Sequence, residues 1–211
     1  MNFKNHVTRL SQYKATLQRM EKEGVEQTHA ETISKLIAIP ATQIRKDFSL
    51  FGIKGNKRAG YVVEELLQEL KSILGLEGEI PVVLIGYGNL GKALTRYSGF
   101  RQGSLRIVAA FDPAVGRLST QPDLPVYPPA SLVPFILENK IKHAILAVPD
   151  KVVQEMFDIL YTNGVRGFID FSSTPLNVPE DAYVNNVDLE LELETVVFYT
   201  RESEKSEKKD T

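Results

Sequence analysis

The fold is decided by the stretch Ile80-Pro81-Val82-Val83-Leu84-Ile85-Gly86-Tyr87-Gly88-Asn89-Leu90-Gly91, which a helix-forming segment follows. Its first half is an apolar run typical of a buried strand, and its second half fits the pattern G-x-G-x-x-G. In a strand–turn–helix unit the first glycine permits a tight turn, the second lets a phosphate approach the backbone, and the third packs helix against strand. The helix N-terminus adds unpaired N–H groups that favour an anion. The stretch therefore predicts a dinucleotide site at residues 86–91.

An acidic residue follows the second predicted strand. Asp112 ends the apolar run 105–111, about 20 residues beyond the last glycine, where a carboxylate binds the ribose hydroxyls of the adenosine. A negative charge there also repels a 2′-phosphate, so the predicted cofactor is NAD(H) rather than NADP(H). An ordinary turn formed with Pro113 is the alternative explanation for this residue.

The C-terminal part of the chain alternates apolar strands with helices, which is typical of a parallel sheet covered on both faces. Strands are predicted at 80–86, 105–112, 142–148, 165–171 and 181–187, and helices at 89–98, 129–139 and 150–163. Ligands of such sheets bind at the carboxyl ends of the strands. Val148 and Pro149, at the end of the third strand, are therefore predicted to border the cofactor.

The residues before the glycine-rich stretch predict three short helices. The first, ended by Gly24, has apolar residues at helical spacing: Leu10, Tyr13, Leu17 and Met20. The segment Thr28-His29-Ala30-Glu31 fits a capping box and predicts a second helix. One face of that helix holds Ile33, Leu36 and Ile37. Pro40 separates it from a third helix at 41–51, which Gly52 closes. A tight connection between two short helices is typical of a helix-turn-helix.

The third predicted helix has an apolar face and a polar face. Its apolar face holds Ile44, Phe48 and Phe51. Its polar face carries side chains that can bind phosphates and base edges in a major groove, namely Gln43, Arg45, Lys46 and Ser49. The next ten residues hold three glycines and three cations, Lys54, Lys57 and Arg58, as expected of a basic wing. The pattern predicts a winged helix that binds double-stranded DNA; a small helical oligomerisation domain is the alternative.

The charge is unevenly distributed although the net charge is only −2. Residues 1–60 contain 11 Lys and Arg against 5 acidic residues, so the acidic excess lies in the rest of the chain. This asymmetry is typical of a protein that presents one end to phosphates. An amphipathic helix at 62–74 is predicted to complete the N-terminal domain, and residues 76–79 form the boundary.

The composition excludes several kinds of site. Because the chain has no cysteine, it forms neither disulfides nor thiolate metal sites. Its three histidines are far apart in sequence, so no metal site is predicted. The chain shows no secretory signal and no apolar run near the ~18 residues of a membrane span. The protein is therefore expected in the cytoplasm, without a membrane partner.

Several of these segments together resemble the Rex family, the redox-sensing transcriptional repressors of bacteria. The resemblance covers about residues 5–200 and is more specific than the glycine pattern alone. It is carried by the third helix with Gly52, by the wing ending in Gly60-Tyr61, and by three further motifs: Gly86-Tyr87-Gly88-Asn89-Leu90-Gly91-Lys92-Ala93-Leu94, Tyr97-Ser98-Gly99-Phe100 and Asn186-Val187-Asp188.

The resemblance implies a homodimer that binds operator DNA and releases it when NADH binds and rotates the subunits. A C-terminal helix, here residues 188–200, swaps into the partner. The family's counterparts of Tyr97 and Asp188 contact an arginine on the partner's first helix, and an aromatic residue follows that aspartate near the nicotinamide. This chain has Ala15 and Leu189 at those two positions, and both departures bear on how it distinguishes NADH from NAD⁺.

The sequence thus predicts an α/β protein with a winged-helix domain at 1–78, a Rossmann NAD(H) domain at 79–187, a swapped helix at 188–200 and a disordered tail at 201–211. The predicted function is a transcriptional repressor that senses the NADH/NAD⁺ ratio. It is not predicted to be an enzyme, because no His, Lys or Tyr-x-x-x-Lys pair is placed to move a proton beside a hydride. Three alternatives stay open: a small NAD-dependent oxidoreductase, a DNA-binding regulator that no longer responds to NADH, and a module that binds CoA or another adenine nucleotide.

Overall fold

The computed structural model describes residues 4–56, 59–115 and 124–207. The chain divides into two compact units, Met1–Gly78 and Glu79–Thr211. Buried apolar side chains from its helices form the core of the first unit. In the second unit, successive residues of the central strands point to opposite faces of a sheet, and buried side chains pack on both faces.

The N-terminal unit combines helices with a short antiparallel ladder. Its elements are α1 (Lys4–Lys22), β1 (Gln27–Thr28), α2 (Ala30–Ile37), α3 (Ala41–Leu50), β2 (Tyr61–Val62) and α4 (Val63–Ile73). The three predicted helices and the amphipathic helix after them are confirmed, and their buried residues include Leu10, Tyr13, Leu17, Met20, Ile44, Phe48 and Leu67. Gly24 follows α1 with a φ of +76°, the left-handed conformation that ends a helix.

The capping box predicted at the start of α2 is wrong. The helix begins at Ala30, and its N-cap is His29, whose side chain makes no capping hydrogen bond. Thr28 instead pairs with Tyr61 in the β1–β2 ladder, so its backbone is extended before the helix begins. Its buried hydroxyl has no hydrogen-bond partner among the described residues. Of the apolar residues predicted to share one face of α2, Ile33 is buried and Leu36 is 53 % exposed.

The predicted wing contains a tight hairpin. Asn56 and Gly60 exchange two backbone hydrogen bonds of 2.8 Å, and the N–H of Ala59 donates to Asn56 Oδ1 at 3.0 Å. Gly60 has a φ of +75°, and a Cβ on it would collide with the carbonyl of Thr28. Glycine is therefore required where the hairpin returns to β1. Lys57 and Arg58 lie outside the described residues.

The second unit contains a parallel sheet with the order β5-β4-β3-β6-β7-β8. Its strands are β3 (Ile80–Ile85), β4 (Leu105–Phe111), β5 (Val126–Tyr127), β6 (His143–Leu146), β7 (Gly167–Asp170) and β8 (Tyr183–Asn186). The predicted strands are confirmed with slightly shorter bounds. The sequence did not indicate β5, because a strand of two residues leaves no periodic pattern.

Helices cover the sheet between the strands. They are α5 (Asn89–Arg96), α6 (Ser98–Gln102), a 3₁₀ turn at Pro129–Ser131, α7 (Leu132–Glu138) and α8 (Asp150–Thr162). The helix predicted at 89–98 is shorter than expected, because Tyr97 adopts an extended conformation with a ψ of 125° between α5 and α6. Both ends of the other two predicted helices agree with the structure within a few residues.

The last described element is the helix α9 (Leu189–Glu207). It is longer than the predicted helix at 188–200, so the disordered tail predicted from residue 201 is wrong for residues 201–207. Residues 208–211 lie outside the described part of the chain. Glutamate and lysine have high helix propensity and are well solvated, so this charged segment can continue the helix. In the described ranges, no helix combines the length and the apolar character that crossing a membrane requires.

Candidate nucleotide site and nucleic-acid interface

The glycine-rich turn joins β3 to α5, and its glycines lie in different environments. Gly86 has a φ of +96°, and a Cβ on it would collide with the carbonyl of Ala147 at the end of β6. A Cβ on Gly91 would collide with the carbonyl of Gly86. A Cβ on Gly88 would have no neighbouring atom within 4 Å. Gly86 and Gly91 thus permit the shape of the turn itself, whereas Gly88 leaves room for a ligand.

A cavity of about 610 Å³ opens beside this turn at the carboxyl end of the sheet. Its volume lies in the ~300–1,000 Å³ range typical of small-molecule and cofactor sites. Most of the predicted residues line it, namely Gly86, Gly88, Asn89, Leu90, Asp112, Val148 and Pro149. Apolar side chains that the sequence did not single out complete the wall, among them Phe111, Leu132, Val152 and Met156.

Two predicted site residues, Tyr87 and Gly91, do not line the cavity. The side chain of Tyr87 is only 8 % exposed and packs in the core on one face of the sheet. Its backbone still belongs to the turn, since its N–H donates to Asp112 Oδ2 at 2.8 Å. Gly91 lies inside α5, where it allows the helix to approach the turn.

Asp112 is held by backbone N–H groups on both sides. Besides the bond from Tyr87, its Oδ1 accepts the N–H of Ala114 at 2.7 Å, which forms a turn after β4. Because an ionised carboxylate offers about four acceptor positions, positions remain for ribose hydroxyls at the cavity wall. The sequence did not indicate the bond to the glycine turn, because the two residues are 25 positions apart.

The helix α3 presents a polar outer surface. Arg45, Lys46 and Ser49 are exposed as predicted, and Arg45 Nη1 donates to Glu31 Oε1 on α2 at 2.5 Å. Gln43, predicted on the same polar face, is half-buried, and its Nε2 donates to Asp47 Oδ1 at 2.9 Å. The exposed polar side chains of α3 therefore include Arg45, Lys46 and Ser49, whereas Gln43 is held by Asp47.

A buried carboxylate that the sequence analysis did not single out connects α3 with α1. Asp47 is 1 % exposed. It accepts hydrogen bonds from Arg9 Nε at 2.6 Å, Arg9 Nη2 at 2.7 Å, the hydroxyl of Tyr13 at 2.7 Å and Gln43 Nε2, and His6 Nδ1 lies 3.3 Å from Oδ1. A buried charge is tolerated only when it is paired and hydrogen-bonded, so this cluster fixes the direction of α3.

The same contacts keep the Asp47 carboxyl ionised. Burial alone would raise the pKa of Asp47, but the hydrogen bonds from Arg9, Tyr13 and Gln43 outweigh burial and lower the pKa from 3.8 to about 2. Burial, with the hydrogen bond to Asp47, raises the pKa of Tyr13, which therefore remains a donor. No local pattern could predict the cluster, because Tyr13 and Arg9 lie 34 and 38 positions from Asp47.

The wing hairpin starts next to α3. Ile53 is buried after the helix ends, and the ring of Tyr61 packs edge to face on Phe48 with 5.1 Å between ring centroids. Lys54 is exposed at the start of the hairpin. These contacts hold the base of the hairpin on the helical core and leave its cation in solvent.

Metal ligands are not brought together in the described ranges 4–56, 59–115 and 124–207. No group of three His, Cys, Asp or Glu side chains there could hold a metal ion. Among the residues that line the cavity, Asn89 has an amide side chain and Asp112 has a carboxylate.

Comparison with protein families divides the chain as the structure does. Residues 4–49 match a family model described as "Putative DNA-binding protein N-terminus", and residues 77–174 match one described as "CoA binding domain". A curated relative from Pelotomaculum thermopropionicum, "Redox-sensing transcriptional repressor Rex", is 37 % identical over 193 residues, which are 91 % of each chain. The chain belongs to the Rex family of redox-sensing transcriptional repressors. Its Rex relatives are named as repressors rather than as enzymes.

Solved structures of a Rex-family repressor, RSP, are similar over nearly the whole chain. RSP in complex with β-NAD⁺ and operator DNA has a TM-score of 0.84 at 32 % identity, covering 97 % of this chain and 94 % of that one. RSP in complex with β-NADH has a TM-score of 0.82 at 31 % identity, covering 97 % of each chain. The Rex fold predicted from the sequence, a DNA-binding domain followed by a parallel-sheet domain, is thereby confirmed.

The Rex motif Asn186-Val187-Asp188 connects β8 with α9. Asp188 begins the helix, since its Oδ1 accepts the N–H groups of Glu190 at 2.9 Å and Leu191 at 3.2 Å. Asn186 Nδ2 donates to Asp170 Oδ2 at 3.1 Å. Asp170, which the sequence did not indicate, is 1 % exposed at the carboxyl end of β7. These bonds attach the start of α9 to the carboxyl ends of β7 and β8.

The remaining Rex positions lie at the surface of the single chain. Tyr97 is 61 % exposed, and its ring packs edge to face on Phe100 with 5.7 Å between centroids. Leu189 is 66 % exposed at the first turn of α9. Ala15 lies on the exposed face of α1. Within one chain, Asp188 acts as a helix cap.

Proposed function

We propose that this protein is a homodimeric repressor that binds operator DNA through its N-terminal unit and releases it when NADH binds the C-terminal unit. The observation that carries the proposal is the glycine turn with its 610 Å³ cavity and Asp112, on the same chain as an exposed cationic recognition helix. RSP, similar over nearly its full length, has been solved with β-NADH, and with β-NAD⁺ and operator DNA.

The cavity geometry supports a distinct role for each part of the nucleotide site. The pyrophosphate would lie over Gly88, where a Cβ would have no neighbouring atom within 4 Å. It would accept hydrogen bonds from the backbone N–H groups at the start of α5. The carboxylate of Asp112 would accept hydrogen bonds from the hydroxyls of the adenosine ribose. The apolar walls formed by Leu90, Val148 and Pro149 would enclose the adenine and adjacent ribose.

The exposed cations of the N-terminal unit support the proposed DNA contacts. Arg45, Lys46 and Ser49 on α3 would lie in the major groove. Lys54, together with Lys57 and Arg58, would contact the adjacent backbone or minor groove. Gln43 would act indirectly, since its amide is bonded to Asp47. Because operator DNA is chromosomal, the protein would act in the cytoplasm.

The apolar surface of α9 supports the proposed homodimer. Its large apolar side chains are 45–66 % exposed in the single chain: Leu189, Leu191, Leu193, Val196, Val197, Phe198 and Tyr199. They occupy several sides of the helix, and a helix that is apolar on several sides is normally enclosed. A second copy of the chain would cover it, and Tyr97 and Asp188 would then meet residues of the partner. The proposed boundaries are 1–78 for the DNA-binding domain, 79–187 for the nucleotide domain and 188 onward for the swapped helix.

The cavity also supports a signalling role for the nucleotide rather than catalysis. Asp112 is the ionisable residue of its wall among the described residues, and both carboxylate oxygens are bonded to backbone N–H groups. A hydride-transfer enzyme needs a proton donor or acceptor beside the reacting carbon. We propose that the nucleotide binds and dissociates without undergoing a reaction.

The test is fluorescence anisotropy with a labelled duplex that the protein has selected from a randomised pool, at fixed salt because phosphate contacts make affinity steeply salt-dependent. NADH should weaken DNA binding about tenfold or more, within the usual range of allosteric coupling, and NAD⁺ and NADPH should do so much less. Arg45→Ala and Lys46→Ala should weaken DNA binding and leave NADH affinity unchanged.

The other interpretations predict different results in the same assay. DNA binding that is indifferent to every nucleotide would leave a regulator without redox sensing. Absence of DNA binding, with turnover of an alcohol or hydroxy acid, would indicate an oxidoreductase. Displacement of NADH by CoA at lower concentration than by NAD⁺ would indicate the CoA-binding module that the matched family description names.

A further inference from the structure

Glu31 makes a contact that neither the capping-box prediction nor the proposed DNA contacts explain. It lies in the first turn of α2, and its Oε1 accepts a hydrogen bond from Nη1 of Arg45 on α3 at 2.5 Å. The bond from Arg45 lowers the pKa of Glu31, which keeps the carboxylate charged. The pair therefore joins the two helices of the helix-turn-helix at the proposed DNA surface.

Stability does not explain this ion pair. Arg45 is 49 % exposed and Glu31 is 60 % exposed, and exposed ion pairs contribute little to folding. The core between α2 and α3 is formed by buried apolar side chains such as Ile33 and Ile44. An acidic side chain beside a DNA surface also repels phosphates, so its presence there calls for another role.

The guanidinium geometry provides that role. Arginine has five N–H donors in a planar fork, and it can donate two of them to O6 and N7 of guanine. With Nη1 bonded to Glu31, the fork retains donors on its other side. Holding the long side chain in one orientation removes rotamer freedom before DNA arrives, which lowers the entropic cost of a directed contact. It also limits the alternative in which the arginine swings to the nearest phosphate.

We propose that Glu31 determines operator specificity by orienting Arg45 toward a base edge and by repelling phosphates from it. This inference rests on the proposed DNA-binding function. Repulsion weakens binding to any duplex, whereas orientation recovers affinity only where the matching base is present. Specificity of this kind combines a favourable contact with the right partner and an unfavourable one with the wrong partner.

The test compares the selected duplex with a scrambled duplex of the same length at one salt concentration, using wild type, Glu31→Gln, Arg45→Ala and the double variant. Glu31→Gln should tighten binding to scrambled DNA more than to the selected duplex. The affinity ratio should fall at least about fivefold, the lower end of what one directed base contact provides. In the Arg45→Ala background, Glu31→Gln should leave the ratio unchanged.

Glu21→Gln is the matched control, since Glu21 is an exposed carboxylate of α1 in the same unit and the variant makes the same change in charge. The inference would be overturned if the two variants had equal effects on both duplexes, or if Glu31→Gln left the ratio of the two DNA affinities unchanged. In either case, a wild-type preference for the selected duplex would still support the proposed DNA-binding function. A persistent effect of Glu31→Gln in the Arg45→Ala background would likewise overturn it. If wild type bound both duplexes equally, the proposed function would fail and the inference with it.

Discussion

At the scale of residues, the glycines of the nucleotide turn separate two physical requirements. A side chain on Gly86 would collide with the carbonyl of Ala147, just after β6, and one on Gly91 would collide with the carbonyl of Gly86. A side chain on Gly88 would enter the cavity without touching the protein. Gly86 and Gly91 therefore serve the fold, and Gly88 serves the ligand.

This difference predicts opposite behaviour for two alanine variants. Gly88→Ala should keep the melting temperature and DNA binding of wild type but weaken NADH binding about tenfold or more, because its methyl group takes space that we assign to the pyrophosphate. Gly91→Ala should lower the melting temperature, since its methyl group meets the carbonyl of Gly86. Calorimetric NADH titration and thermal unfolding measure the two effects. Normal NADH binding by Gly88→Ala would contradict the assignment.

The Asp47 cluster makes stability depend on pH in acid. The pKa of Asp47 falls from 3.8 to about 2 on folding, so its stabilising contribution is complete above the unfolded pKa and is lost as the pH falls from about 4 toward 2. Asp47→Asn should cost about 3 kcal/mol at neutral pH, because the Arg9 charge loses its partner, and should remove part of the acid dependence. Urea unfolding at a series of pH values measures both quantities. Glu21→Gln serves as control, and an Asp47→Asn curve parallel to wild type between pH 4 and 2 would contradict the account.

At the scale of elements, the sequence predicted what periodic patterns encode. The strand–turn–helix at Ile80–Gly91, the amphipathic helices and the alternation of the sheet were all predictable, because spacing of apolar residues determines which face is buried. Elements that depend on distant partners were not. β5 exists because Val126 pairs with the end of β4, and Thr28 is extended because it pairs with Tyr61.

The residues of the candidate sites were likewise predictable where their spacing along the chain is fixed, and not where they depend on distant partners. The glycine turn and Asp112 were predictable because their spacing along the chain is fixed by one βαβ unit. The bond between Asp112 and Tyr87, the Asp47 cluster and the Arg45–Glu31 pair were not, because each joins residues that only the folded chain brings together. Polar side chains inside helices carry no pattern that distinguishes a buried partner from a solvated one.

The apolar surface of α9 predicts an assembly that can be disrupted at one element. Leu193→Glu with Phe198→Glu should convert a dimer to a monomer, because both side chains are about 60 % exposed in the single chain and burying two carboxylates in an apolar interface is costly. Analytical ultracentrifugation measures the oligomeric state. Glu194→Gln, between them, is the control. A wild-type monomer, or a double variant that remains dimeric, would contradict the proposed role of α9.

At the scale of the whole molecule, the chain contains two units, each with its own hydrophobic core. A ligand on one unit can affect binding by the other only if it prefers one arrangement of the assembly. The departures at Ala15 and Leu189 lie where the family resemblance puts contacts between subunits and near the nicotinamide, so the strength of the coupling is the property in which this chain is expected to differ from its relatives. Coupling between sites must be reciprocal in free energy.

The most direct test of the central claim is the affinity for NADH, measured by its fluorescence with and without a saturating amount of the selected duplex. If the nucleotide cavity controls the recognition helices, DNA must weaken NADH binding by the same factor by which NADH weakens DNA binding, about tenfold or more. Scrambled duplex at the same concentration should have little effect. An NADH affinity that the selected duplex leaves unchanged would contradict the account, because the two sites would then be independent.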